Sequence, residues 1–229
     1  MLSASEIATR LDTVRARMSA AAQRAGRNPA AVRLILASKT QPPEAIRAAY
    51  EAGAREFGEN YVQEAIGKRD SLADLGDLRW HLIGHLQRNK AKLAAATFAM
   101  IESLDSEALA RALARAQPSP PLPVLIEINV GGEASKSGLE PAAAAGLIDA
   151  VRGLVEVRGL MTIPPPGESA AAARPYFARL RDLRDRLART SGLALSELSM
   201  GMTDDFEIAI EEGATIVRIG RAVFGERDR

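Results

Sequence analysis

An apolar run that ends in an amine is the first chemical signal in this chain. In "VRLILASKT", Val32, Leu34, Ile35 and Leu36 have the character of a buried strand, and they lead straight into Lys39. Only five of the thirty basic residues are lysine, so arginine is the usual choice here where charge alone is needed. Desolvation beside an apolar strand draws a lysine down from its ordinary pKa of about 10.4, and the neutral amine can attack an aldehyde. The competing reading is a lysine that lays its stem on the protein and keeps its ammonium in water.

Two later turns have the makings of an anion site. "LSMGMTDD", Leu198 to Asp205, reads as a strand, a turn of small residues and a helix starting near Thr203. Ser199 offers a hydroxyl there, and Gly201 a backbone N–H that a ligand can approach closely. "VRIGRAVFG", Val217 to Gly225, adds a turn at Gly220 and the charge of Arg221. The alternative is that Thr203 caps the helix, Asp204 and Asp205 complement its dipole, and the glycines only make turns. Arg218 interrupts the apolar residues Ile216, Val217 and Ile219, and a buried guanidinium requires a partner. Glu127 or Glu207 would satisfy it, as would a ligand ring; beside a pyridine, its permanent charge would keep the ring nitrogen unprotonated. His81 and His85 stand four apart, but "LIG" between them reads as strand and turn, and no carboxylate cluster accompanies them. A hydrogen bond at a strand end suits His81 better than a metal.

These residues must be positioned by elements that the apolar pattern predicts. Ile7, Leu11, Val14 and Met18 follow helical spacing, with a capping box at Ser3 and Glu6 and a stop at Gly26. Short apolar runs follow at 32–38, 56–58, 79–83, 99–102, 122–129, 155–162, 195–199 and 215–219, with helical stretches between them. Phe177, Leu180, Leu183 and Leu187 mark one such stretch, its charges forming a solvated face. "PSPPLP" at 118–123 and "PPPG" at 164–167 read as loops. Eight strand–helix units in 229 residues predict an α/β fold, a closed (β/α)8 TIM barrel forming a single domain over 1–229 with an additional N-terminal helix. In such a barrel chemistry gathers where strands end, so Lys39, Asn60, His81, Asn129, Met161, Ser199, Arg218 and Gly220 converge on one mouth.

Composition narrows the function classes. A net charge of +1 without charged blocks argues against nucleic acid or anionic membranes as partners. The absence of cysteine excludes disulfides and thiol nucleophiles, and suits a reducing, cytoplasmic compartment. No apolar run approaches the ~20 residues of a membrane span. An amine with two anion-binding turns fits a cofactor-holding protein or a Schiff-base aldolase acting on a phosphorylated sugar.

Taken together, "ASKT", "FGENYVQE", "WHLIGHLQRNK", "INVGGEASKSG", "RGLM", "LSMGMTDDFEIAI" and "VRIGRAVFG" resemble the pyridoxal phosphate homeostasis proteins, over Leu34 to Gly225. The resemblance implies the fold-type III barrel of alanine racemase without the racemase's additional β-domain. It implies pyridoxal 5'-phosphate as cofactor, held as a Schiff base on Lys39, with Arg218 facing the ring nitrogen. Ser199, Gly201 and Gly220 would line the phosphate site, and Asn60, Asn129 and Met161 would lie nearer the ring. Arg221 departs from the small hydroxyl residue frequent after that glycine, a change its guanidinium could offset. Lys136 lies in the "KSG" segment, with no physical role assigned. The implied function is intracellular homeostasis of the cofactor, buffering it or supplying it to apo-enzymes, with no catalytic residues. An amino-acid racemase is the alternative, but the partner tyrosine of the related racemase belongs to the absent domain, and Tyr50, Tyr61 and Tyr176 show no match to it.

Overall fold

The computed structural model describes residues 2–117, 119–132, 137–165, 167 and 169–226. The chain opens with α1 (Ala4–Arg24), then β1 (Arg33–Ala37), α2 (Pro43–Glu51), β2 (Glu56–Glu59), α3 (Val62–Ser71) and β3 (Arg79–Leu82). It continues through α4 (Ala91–Thr97), β4 (Met100–Leu104), α5 (Glu107–Ala116), β5 (Pro123–Glu127), α6 (Ala144–Val151) and β6 (Glu156–Met161). It ends with α7 (Arg174–Ser191), β7 (Glu197–Ser199), α8 (Phe206–Glu211), β8 (Ile216–Ile219) and α9 (Arg221–Phe224). The eight strands pair in parallel in sequence order, and β8 closes on β1 with Ile35 opposite Arg218. This is the expected (β/α)8 barrel.

The capping box of α1 is formed: the Ser3 N–H donates to Glu6 at 2.8 Å, and the Glu6 N–H donates to the Ser3 hydroxyl at 3.3 Å. Ile7, Leu11, Val14 and Met18 are buried, and the helix packs on α2, α8 and α9. It thus covers the helices that flank the seam where β8 meets β1. Gly26 follows the last turn at φ 66°, a left-handed position that glycine occupies without strain.

Two element boundaries differ from the pattern. β7 begins at Glu197 rather than 195, because Leu195 has φ 38° and cannot lie in a ladder. α8 begins at Phe206 rather than near Thr203: Gly201 at φ 94° turns the chain, and the Asp205 carboxylate accepts the Met202 N–H at 2.7 Å. Pro123, where the loop at 118–123 and the strand run at 122–129 overlap, is the first residue of β5, a position that tolerates a missing N–H.

Strand residues pointing outward join the helices in the large apolar core, while Ile35, Met100, Leu125, Met161 and Ile216 make a small cluster inside the barrel. Closure leaves no spare room between β6 and β7, where a Cβ on Gly159 would lie 1.9 Å from the Glu197 carbonyl oxygen. We predict that Gly159→Ala costs about 3 kcal/mol, at the upper end of overpacking effects because the clash is with backbone. A urea titration reads this; a change under about 1 kcal/mol would show that the strands can slide apart.

Candidate functional site

Lys39 stands two residues beyond β1, in the turn that leads to α2, and is half-buried. It opens into a cleft of 270 Å³ at the C-terminal ends of the strands, together with Asn60, Arg218, Gly220 and Arg221. Ala37, Ile83, Ile163 and Met202 supply apolar wall, and Thr203 and Asp204 complete one end. The amine after the first strand and the turns after the seventh and eighth therefore share one space, because closure makes β1 and β8 neighbours.

The end of the cleft where the sequence suggests an anion is built from backbone and short side chains. A Cβ at position 201 would meet Ala209 Cβ at 2.5 Å, so glycine is needed for the turn to lie against α8. Gly201 acts through shape, and its carbonyl accepts the Arg218 N–H at 3.0 Å. Thr203, expected to cap its own helix, instead accepts the Ala222 N–H at 3.3 Å and ties the β7 turn to α9. Gly220 precedes α9, with Ala37 O 3.1 Å from where its Cβ would be. Arg221 is joined by Asp204 and by Glu226, the latter at 3.2 Å, so the aspartate reaches toward the guanidinium of this end.

Beneath the cleft lies a line of buried polar groups. Arg218 donates to the Ser199 hydroxyl at 2.5 Å and to the Thr162 carbonyl at 2.9 Å. Ser199 in turn donates to Glu102 Oε2 at 2.6 Å, and His81 Nδ1 lies 3.1 Å from Glu102 Oε1. Burial pushes the Glu102 carboxyl up, but His81, Arg218 and Ser199 outweigh it and hold the group below the usual carboxylate range. Burial pulls the Arg218 guanidinium down, while Glu102, Glu127 and Asp205 oppose that. Arginine stays charged even so, because its unperturbed pKa is so high. Glu127 is raised, chiefly by burial and then by Asp105, and Asp205 is raised by burial.

Several expected placements change. The Ser199 hydroxyl is turned into the barrel, where it links Arg218 to Glu102, rather than toward an anion at the mouth. His81 sits within β3, not at its end, buried among Glu56 and Glu102. Met161 belongs to the inner apolar cluster below the cleft. Asn129 is buried past β5, where its Oδ1 accepts the Gly132 N–H at 3.0 Å. Glu207 does not reach Arg218; it pairs with Arg17 of α1 on the outer surface at 3.2 Å. His85 faces Asp105, away from His81, and no cluster among the described residues could hold a metal ion. Lys136 lies outside the described residues.

Glu102 was missed from sequence, although its signal was present: a carboxylate inside "MIESL" mirrors the guanidinium inside "IVRI". Asn60 carries a further signal visible only in the structure. Its Oδ1 is buried and has no partner among the described residues, and Asn60 borders the cleft, so this oxygen is available to accept a hydrogen bond there.

The alanine racemase N-terminal domain family matches residues 9–228. A pyridoxal phosphate homeostasis protein of Pseudomonas aeruginosa is 50% identical over 228 residues, covering 98% of this chain and 97% of its own. The chain belongs to the pyridoxal phosphate homeostasis protein family. A homeostasis protein of Aquifex aeolicus is also 50% identical, over 222 residues, 95% of this chain and 97% of its own. The structure of PipY from Synechococcus elongatus with pyridoxal phosphate bound superposes with a TM-score of 0.84 at 40% identity, covering 96% of this chain and all of that one. Membership in this family agrees with the motif resemblance and with the barrel. An alanine racemase of Clostridium difficile, at 12% identity and TM-score 0.73, shares the fold and is covered over 58% of its length.

Proposed function

We propose that the protein binds pyridoxal 5'-phosphate in the Lys39 cleft and serves its homeostasis, holding the cofactor and giving it up on demand. The observation that carries this reading is the set of polar groups in one cleft: an amine, a buried guanidinium, an unsatisfied amide oxygen and an end formed by Gly220 and Arg221. Pyridoxal phosphate supplies an aldehyde that condenses reversibly with a primary amine. Lys39 provides that amine. Asn60, with its unpartnered Oδ1, and Arg218 would hold the ring, and Gly220 and Arg221 would hold the phosphate. PipY, with pyridoxal phosphate bound in its structure, supports the identity of the ligand.

Arg218 argues against transamination: beside a pyridine its permanent charge would keep the ring nitrogen unprotonated, and such a ring would withdraw electrons poorly. Against racemisation stands the missing second base. Racemisation needs acid–base groups on both faces of a carbanion. Tyr50 is engaged by Asp77 and Arg55, Tyr176 lies beside Arg179, and none of the three tyrosines lines the cleft. Recipients would be apo-enzymes that use the cofactor, in the cytoplasm, with neither nucleic acid nor membrane involved. No helix among the described residues is long and apolar enough to cross a membrane.

Purified protein is expected to show a visible band of bound cofactor, and borohydride reduction followed by peptide mapping should mark Lys39. A colourless protein with no adduct after incubation with pyridoxal phosphate would overturn the reading. Robust solvent-deuterium incorporation across a panel of amino acids would move it to an enzyme. Asp204→Asn should tighten cofactor binding about two- to five-fold at low salt, because it frees Arg221 and removes a negative charge near the phosphate end, and salt should erase the gain. Absorbance titration at two ionic strengths measures this.

A further inference from the structure

A second lysine is committed to the turn that carries the first. Lys68 of α3 is buried, its side chain 8% exposed, and its ammonium donates to Glu59 Oε1 at 2.7 Å, Glu64 Oε1 at 2.6 Å and the Ser38 carbonyl at 2.7 Å. The Ser38 hydroxyl donates to the same Glu59 oxygen at 2.7 Å, and the Thr40 N–H donates to Glu64 Oε1 at 2.6 Å. The residues on both sides of Lys39 are thereby tied to one charged cluster. Glu64 and Lys68 lie one helical turn apart on α3, so a single rigid element grips both flanks.

Two features separate this cluster from an ordinary ion pair. Thr40 has φ 66°, a conformation that is unusual for a β-branched residue and costs on the order of 1–3 kcal/mol. Such strain persists only where the surroundings impose it, and the Glu64 carboxylate is the group that holds the Thr40 N–H. Second, Glu59 Oε2 is buried without a partner among the described residues, and burial raises the Glu59 carboxyl despite Lys68 and Ser38. Apolar packing would fill this space without that penalty, and buried ion pairs are poor devices for stability alone. What the charges achieve here is to set the backbone on either side of Lys39.

We propose that Lys68, Glu59 and Glu64 form a positioning clamp that aims the Lys39 amine into the cleft and thereby sets how long the cofactor is retained. The inference rests on the binding reading above and deepens it. None of the three residues lines the cleft, so they act through the turn rather than on the ligand.

The test follows loss of the bound cofactor's absorbance after dilution of loaded protein, with urea unfolding in parallel. Glu64→Ala and Lys68→Met should release cofactor about ten-fold faster, the effect of one charge-assisted hydrogen bond. Glu64→Gln, whose amide oxygen can still accept the Thr40 N–H, should return most of the retention. If Lys68→Met fails to fold, Glu64→Ala decides, because its side chain is 26% exposed and its loss strands no fully buried charge. Wild-type release rates in both variants, with only the unfolding midpoint lowered, would make the cluster purely structural and overturn the clamp. Absence of a borohydride adduct on wild-type Lys39 would instead overturn the binding reading, and the clamp with it.

Discussion

Glu102→Leu is expected to lower the unfolding free energy by about 3–5 kcal/mol, the cost of leaving one partner of a buried charge pair uncompensated. Glu102 is fully buried and joined through Ser199 to Arg218, and on its other side to His81. Removing the carboxylate leaves a guanidinium that cannot neutralise itself. Glu102→Gln keeps the shape and part of the hydrogen bonding, so its loss should be smaller. The pH dependence identifies the group. The folded carboxyl titrates below its ordinary value of 4.5, so its stabilising contribution is complete above that value and disappears as pH falls through the lower folded pKa. The stability difference between wild type and Glu102→Gln should therefore narrow below about pH 4.5. Urea titrations from pH 3 to 7 measure it; a difference that grows toward low pH would contradict the ionised assignment.

Lys39→Ala should abolish the borohydride adduct and weaken pyridoxal phosphate binding on the order of 100-fold, roughly 2.7 kcal/mol, through loss of the covalent link. Stability should change by less than about 1 kcal/mol, because the side chain is half-exposed at the barrel mouth. Lys39→Arg is the sharper comparison. It keeps a cation near the cleft but offers no neutral amine, so it should also fail to trap while retaining more affinity than alanine. Equal binding by wild type, Lys39→Ala and Lys39→Arg would remove the amine from the account. Absorbance titration and mass spectrometry after reduction distinguish these results.

The two experiments probe different layers of the same site. The upper layer, Lys39, Asn60, Gly220 and Arg221, lines the cleft with Arg218; the lower layer, Ser199, Glu102 and His81, holds the Arg218 guanidinium in place. Part of the upper layer could be found from its position in the strand pattern. Lys39 follows the first apolar run, and Gly220 and Arg221 follow the last, which is where barrel chemistry collects. The lower layer was harder to read because its members are ordinary residues in strands. Ser199 looks like part of a small-residue anion turn until the direction of its hydroxyl is known.

Arg218 illustrates the difference most clearly. That it needs a partner follows from charge alone, and of the two carboxylates the sequence offers, Glu127 lies near enough to act on its charge while Glu207 does not. Glu207 faces outward to Arg17, and the hydroxyl bridge leads to Glu102 instead. The same limit applies to Lys68, which carries no signal of its own in the sequence and is buried against the Lys39 turn.

The order of residues by itself determined the eight strand–helix units, the leading capped helix and the ends of strands where an amine and two glycine turns stand. Those features depend on local periodicity, capping and turn chemistry, which extend over a few residues. Which charges meet inside the barrel was decided only by closure. Glu102 and Ser199 are 97 residues apart, and they face each other because β4 and β7 point their side chains into one narrow interior. Side-chain direction and long-range proximity arise from the joined sheet, so the support beneath the site exists only once β8 has met β1.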